Sequence, residues 1–495
     1  MWLGADDTSQ IAAAVLYCAT LSAHLTSKPQ IARSAAVAPM LAVRPELAQR
    51  LTTKHAAAIV VGTVIGSGIF LVPTEMMQAV GSANLVFAAW IVGGLLSLCG
   101  ALTYAELGAM KPQVGGEYIY IRDAYGPLGG FLYGWTYFMI AVPGTLATVA
   151  TGIVRVLGTF APLSFLGDPL VTRPLAISYG QLLAIAAIVL IAVINWIGVE
   201  RAGEFQLFFT VLKIVIILAI VVAGFGYQGG AWHNFSTSHP NATGGLAGFM
   251  AALLAALWAY DGWNLVTTVS GEIRDPQRSL PIALMSGVAT VAVLYLAVNA
   301  AVLFVMPASA VAGSPQPASA AMGIVLGRWG AGIVSVGMAL SMLVCLNGNM
   351  MTGARIPFAM SRDRCFFYAL AEVHPRFRTP STAIAVQAAL AVALMLCAQS
   401  FQRLFSLTLF AEYVFYIAAT ASVFVFRVEE PNASRPYRTW AYPVVPVLFI
   451  AASAMLLYYS FRADVKYSLA EIAMIVAGVP FYLYFAAKRS AAAAC

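Results

Sequence analysis

The sequence predicts an all-α membrane protein of about 12 transmembrane helices, and three observations carry that prediction. Of its 495 residues 61% are hydrophobic and only 9% charged, with a mean hydropathy of +0.84, where a soluble domain averages about 25% charged residues. Apolar segments near the roughly 20 residues that cross a bilayer recur at regular intervals between residues 55 and 487. The first and the sixth of these segments carry helix-breaking residues near their middles, which divides the chain into two corresponding groups of five helices.

Taken in order, residues 1–50 are Ala-rich and only moderately apolar. The run from Ile11 to Leu25 is too short and too rich in Ser and Thr for a span, and Asp6 and Asp7 stand where a secretory signal would be basic. The stretch reads as a mobile cytoplasmic tail. The coherent pattern begins only after Met40, which is an alternative start. The spans then follow at 55–80, 84–110, 127–157, 177–198, 202–224, 244–271, 280–306, 328–358, 380–399, 403–426, 443–461 and 467–487. Longer ones are expected to be tilted or broken. The expected divisions are the tail at 1–50, a first five-helix repeat at 51–224, a second at 244–426, and helices eleven and twelve at 443–487.

The formal net charge of +7 does not indicate a nucleic-acid partner, because the basic residues form no cluster on one amphipathic element. They lie between the apolar segments. With the N-terminus inside, twenty of the 27 Lys and Arg fall on the inner side. Six fall outside (Arg155, Arg173, Arg328, Arg403, Arg462 and Lys466), and Lys213 is within a helix. That bias places both termini in the cytoplasm. The six cysteines (Cys18, Cys99, Cys345, Cys365, Cys397 and Cys495) have no metal or redox spacing, and read as free thiols. The five histidines are scattered, so neither a metal nor another cofactor is expected. There is no catalytic constellation that would support an enzyme.

In helix one, Val61-Gly-Thr-Val-Ile-Gly-Ser-Gly-Ile-Phe70 brackets Ser67 with Gly62, Gly66 and Gly68, and Pro73 follows. Glycine costs roughly 1 kcal/mol and proline about 3 kcal/mol relative to alanine in a helix interior, so the helix should break near Ser67. Unpaired backbone groups do not face lipid, and such a break must line a cavity within the protein. Its N–H groups suit an anion and its C=O groups a cation; a zwitterion fits both. The alternative reading is that Gly62 and Gly66 form a small-residue face against another helix.

Helix six places Asp261 and Gly262 midway along a span, in Trp258-Ala-Tyr-Asp-Gly-Trp-Asn264. A carboxylate there is costly unless it faces a cavity or partner. Interrupted helices in corresponding positions of two halves point to a transporter's midplane site, and two groups of five helices have opposite topology. Asp261 is read either as a cap for the second half of helix six or as a substrate contact. Lys213 is almost central in helix five, too deep to snorkel. It is read as a proton carrier or as a fixed charge where a metal ion would otherwise sit.

These residues together resemble the amino acid–polyamine–organocation superfamily, over roughly residues 50–490. Gly66-Ser-Gly-Ile-Phe70 is similar to its first-helix signature, and Pro112-Gln-Val-Gly-Gly-Glu-Tyr118 with Tyr125-Gly126-Pro127 to its loop between helices two and three. The helix-six motif followed by Glu272-Ile-Arg-Asp-Pro-Gln-Arg-Ser-Leu-Pro281 resembles the L-type amino acid transporter branch, as does Leu294-Tyr-Leu-Ala-Val-Asn299. Arg435-Pro-Tyr-Arg438 and Tyr442-Pro-Val-Val-Pro446 resemble the family's entry to helix eleven.

The resemblance implies a LeuT-type inverted repeat with helices one and six broken. It implies a substrate carboxylate on the N–H groups of Ser67, Gly68 and Ile69. The ammonium would lie on carbonyls near Ile65 and on Trp258, Ala259 and Asp261. Trp258 stands at the gate, where the branch usually has phenylalanine, and its larger ring would favour small neutral side chains. Tyr295 matches a tyrosine near the substrate, and Lys213 a lysine that replaces a sodium ion. The implied activity is sodium-independent exchange of neutral L-amino acids in the cell membrane. A proton-coupled symporter using Lys213 is the alternative. A cationic amino acid or polyamine carrier fits less well, since the pocket segments offer only Asp261 as a negative charge. A non-transporting sensor would need a signalling domain, for which the tail is too short and too bland. Animal L-type members join a glycoprotein through a cysteine between helices three and four; residues 158–176 contain none, so no disulfide-linked heavy subunit is expected.

Overall fold

Helix one starts at Thr53, where Thr52 and His55 form a reciprocal capping box. It runs to Val64, and after Ile65-Gly66-Ser67 a second helix covers Gly68–Val80, bent by 41° from the first. The computed structural model describes residues 46–158, 161–171, 177–398, 409–463 and 465–494. The N-terminal tail to residue 45, Met40 included, lies outside them.

Helices two to five cover Ala83–Met110, Pro127–Leu157, Tyr179–Trp196 and Val199–Phe225. Helix six is α-helical over Gly245–Ala259 and resumes as a 3₁₀ helix over Trp263–Glu272. Between the two halves Gly262 has a φ of +96°, a conformation that glycine takes without the cost of a β-carbon. Helices seven and eight follow at Pro276–Val305 and Arg328–Gly353, the latter continued by Arg355–Arg362. Helices nine to twelve are Ser381–Ala398, Leu409–Glu429, Val444–Ala463 and Val465–Ala494.

Among the described residues ten helices are long and apolar enough to cross a membrane, and the bent pair of helix one makes eleven. Helix nine is a shorter apolar helix in the place expected for a span. The protein is thus an all-α, multi-pass membrane protein. Elements not expected from the sequence lie between spans: Glu117–Tyr125 before helix three, and Ala308–Gly313 and Pro317–Leu326 before helix eight. They are too short or too polar to register as spans.

Helix five shows how its sequence divides its faces. Phe208, Val211, Val215 and Val222 are all more than half exposed, an apolar face suited to lipid. Gln206, Thr210 and Lys213 are buried on the face toward helix one. Polar groups facing inward act as interhelical glue in a membrane. Asn347 of helix eight accordingly donates to Gln206 Oε1 at 2.7 Å and accepts from Asn195 of helix four at 2.9 Å. At one end of the bundle Arg355 and Glu272, both fully buried, pair through two contacts of 2.6 and 2.9 Å.

Candidate functional site

The break in helix one leaves its last carbonyl groups without intrahelical donors, and helices five, seven and eight supply them. Lys213 Nζ donates to Gly62 O at 3.0 Å, to Ile65 O at 2.8 Å and to Ser341 O at 3.3 Å. Ser341 Oγ donates to Ile65 O at 2.7 Å, and Cys345 Sγ to Thr63 O at 3.2 Å. Tyr295 Oη lies 3.1 Å from Val64 O and 2.7 Å from Ala259 O, joining the broken ends of helices one and six. The ammonium group, at the carboxyl end of a half-helix, also meets the negative end of its dipole.

Beyond the break, the N–H groups of Gly68 and Ile69 open the second half-helix, and no side chain caps it. The glycines here do different jobs. A β-carbon on Gly62 would lie 2.1 Å from Gln206 Nε2 and 2.8 Å from Thr210 Oγ1, so Gly62 serves close packing on helix five. One on Gly68 would lie 2.9 Å from Ala259 Cβ, so Gly68 lets helices one and six approach. One on Gly66 would meet only Cys345 Sγ, at 3.8 Å. Packing and breaking therefore both operate, at different glycines.

Thr63 Oγ1 donates to Gly262 O at 3.0 Å and ties the two breaks directly. Asp261 does not cap the resumed helix, whose N-terminus has no side-chain cap. Its Oδ1 instead accepts from Tyr416 Oη of helix ten at 2.5 Å. Tyr416 Oη is also 3.0 Å from Asn264 Oδ1, and Asn264 Nδ2 donates to Glu117 Oε1 at 3.0 Å. Tyr104 Oη donates to the same Glu117 oxygen at 2.5 Å. Glu117 lies between the spans and is fully buried. Burial pushes its carboxyl up to about 7, against the hydrogen bonds it receives.

Between the two breaks is a cavity of about 110 Å³. Gly66, Ser67 and Gly68 line it from helix one, and Trp258, Ala259 and Asp261 from helix six. Tyr137, Thr145 and Thr148 of helix three, Asn349 of helix eight, and Glu412 and Tyr416 of helix ten add to its polar wall. Of the residues expected at the site, Ser67, Gly68, Trp258, Ala259 and Asp261 come together here. Ile65, Ile69, Tyr295 and Lys213 are not among its lining. Ile65 and Ile69 are fully buried, and the Ile65 carbonyl is taken by Lys213 and Ser341. Tyr295 stands behind the wall, where its hydroxyl spans the two breaks and so does not face the cavity.

A family model described as "Amino acid permease" matches residues 51–480. The chain belongs to the amino acid permease family. It falls in the amino acid–polyamine–organocation superfamily, with the L-type branch, and that family is one of transporters. The permease is 34% identical over 439 residues to the serine/threonine exchanger SteT of Bacillus subtilis (strain 168), covering 88% of this chain and 96% of that protein. It is 28% identical to the mouse b(0,+)-type amino acid transporter 1, over 86% of each chain. To the human large neutral amino acids transporter small subunit 2 it is 30% identical, over 86% of this chain and 78% of the relative.

Sequence reasoning missed the contributions of helices three, eight and ten to this permease's cavity. Glu412 carried a usable signal, because an ionisable residue within a span marks a functional position by default. The hydroxyls of Tyr137 and Thr148 carried none, since nothing in an apolar segment tells which side faces a cavity.

Proposed function

We propose that this permease exchanges small neutral L-amino acids across the cell membrane, without sodium, by alternating access at the cavity between the two helix breaks. The observation that carries the reading is the meeting of two half-helix ends on one small space. Uncapped N–H groups at Ser67, Gly68 and Ile69 suit the substrate carboxylate. The carboxyl end of Gly245–Ala259, with the carbonyls of Trp258, Ala259 and Asp261, suits its ammonium. Ile65 takes part through the lysine that its carbonyl holds. The cavity, at about 110 Å³, is smaller than the roughly 150 Å³ of an engineered cavity that takes benzene, which favours small side chains. Trp258 is the lid. Lys213 supplies the positive charge that a sodium ion would otherwise bring. The likeness to a protein named as a serine/threonine exchanger supports exchange of small substrates.

In this reading both termini are cytoplasmic, following the basic residues. The chain works without a disulfide-linked heavy subunit, since 158–176 offers no cysteine. Counterflow in proteoliposomes tests the function. Labelled L-serine uptake should require unlabelled L-serine inside, and should be unchanged by removing sodium or imposing a pH gradient. Accumulation into empty liposomes driven by a proton gradient would replace exchange with proton symport.

A further inference from the structure

Four polar side chains on the cavity wall are not used by the backbone groups that would hold an amino acid's carboxylate and ammonium. Asp261 and Glu412 both line the cavity. Tyr137 and Thr148 line it as well. They are 2% and 8% exposed, and among the described residues neither hydroxyl has a hydrogen-bond partner. A buried hydroxyl without a partner costs about 1–3 kcal/mol, and two of them beside one cavity point to an occupant that completes them. Among the described residues, no Lys, Arg or His lines this space. These four side chains therefore offer acceptors from two carboxyl groups, and hydroxyls that both donate and accept.

We propose that Glu412, with Asp261, Tyr137 and Thr148, forms a side-chain subsite that selects amino acids bearing a short hydroxylated side chain over aliphatic ones of the same size. The proposal rests on the exchange site proposed above and names its substrate class. A hydroxyl matches the subsite because it donates to a carboxyl oxygen while accepting from Tyr137 or Thr148. The aliphatic isostere fills the same volume but leaves the Tyr137 and Thr148 hydroxyls unpaired. Sites built to bond a substrate hydroxyl reject the analogue lacking it much more strongly than size alone allows. An ammonium group of similar reach only donates, and offers no acceptor for the O–H groups of Tyr137 and Thr148. Glu412 is the discriminating member, because Asp261 is already committed to Tyr416 at 2.5 Å.

The test is competition against labelled L-serine in counterflow, using L-threonine, L-valine, L-serine, L-alanine and L-2,4-diaminobutyrate. In the unaltered protein threonine should outcompete valine, and serine alanine, by about tenfold or more. Diaminobutyrate should compete less well than threonine. Glu412→Gln should narrow both ratios, and Glu412→Met should bring them near unity by weakening competition by serine and threonine while that by alanine and valine holds. Tyr137→Phe removes only the hydroxyl and should narrow the same ratios if Glu412→Met fails to fold. Robust serine exchange with threonine and valine equally effective in the unaltered protein would overturn the subsite and leave the exchange reading intact. Diaminobutyrate winning would overturn the hydroxyl assignment. Absence of any amino acid exchange would bring down the transport reading, and the subsite with it.

Discussion

Lys213 Nζ lies 2.8 Å from the carbonyl oxygen of Ile65, at the point where helix one stops, and 3.0 Å from that of Gly62. A fully buried ammonium thus closes carbonyls that the break exposes, and its third contact, Ser341 O at 3.3 Å, lies on helix eight. One side chain of helix five holds together parts that alternating access would have to move. Its removal takes the side-chain donor from the buried Gly62 carbonyl and leaves Ile65 O to Ser341 Oγ alone, where an unpaired buried acceptor costs about 1–3 kcal/mol. Lys213→Ala should reduce serine counterflow to near background at every pH tested, with purified protein still recovered. Exchange that survives in the variant, together with proton-driven uptake in the unaltered protein that the variant loses, would make Lys213 a proton carrier instead.

Gly62 and Gly66 look alike in the sequence and should not behave alike. A methyl group at Gly62 meets Gln206 and Thr210 at 2.1 and 2.8 Å. Overpacking of this kind costs about 1–3 kcal/mol, and Gln206 is also held by Asn347. Gly62→Ala should therefore lower the unfolding temperature in detergent by several degrees. Gly66→Ala, with nothing closer than 3.8 Å, should leave it nearly unchanged. Equal shifts would remove the packing role given to Gly62.

Trp258 lines the cavity beside Gly68, where its ring comes within 3.7 Å of a β-carbon built there. If it covers the substrate, Trp258→Ala should lower serine exchange far more than it lowers yield. It should also raise competition by L-leucine and L-phenylalanine relative to L-serine. Unchanged rate and selectivity would make the ring ordinary core.

Glu117 predicts a pH dependence of stability. Its carboxyl, ordinarily near 4.5, is pushed up to about 7 by burial. The folded protein therefore binds this proton more tightly than the unfolded chain does. The stabilisation is fully present below the ordinary value, and is lost as pH rises through about 7. Thermal unfolding followed between pH 5 and 8 should show this loss, and Glu117→Gln should flatten it. An identical slope in the variant would assign the dependence to other groups.

Much of this fold is legible because a membrane span is a strong one-dimensional signal. The breaks at Ile65–Ser67 and Tyr260–Gly262 were visible because glycine and a mid-span carboxylate are expensive in a helix. Lys213 was visible for the same energetic reason. Helix five was expected from 202 and begins at Val199, a difference of a few residues where apolar content does not mark the end. The helix Glu117–Tyr125 is only nine residues long and gave no span signal. The least legible part is which side chains meet across the bundle. Tyr295 was placed near the substrate by motif, whereas its hydroxyl spans two carbonyls on broken helices, a relation between residues 36 and 231 positions apart. The cavity wall from helices three and ten is of the same kind.

The central claim, that an amino acid is held where the breaks of helices one and six meet, is tested most directly at Ser67. In a background carrying Cys345→Ser, which removes the thiol that also lines the cavity, Ser67→Cys is labelled with N-ethylmaleimide and followed by mass spectrometry. L-serine at ten times its dissociation constant should slow labelling by about tenfold, as simple occupancy requires. An unchanged labelling rate, in a preparation that still exchanges serine, would place the substrate elsewhere.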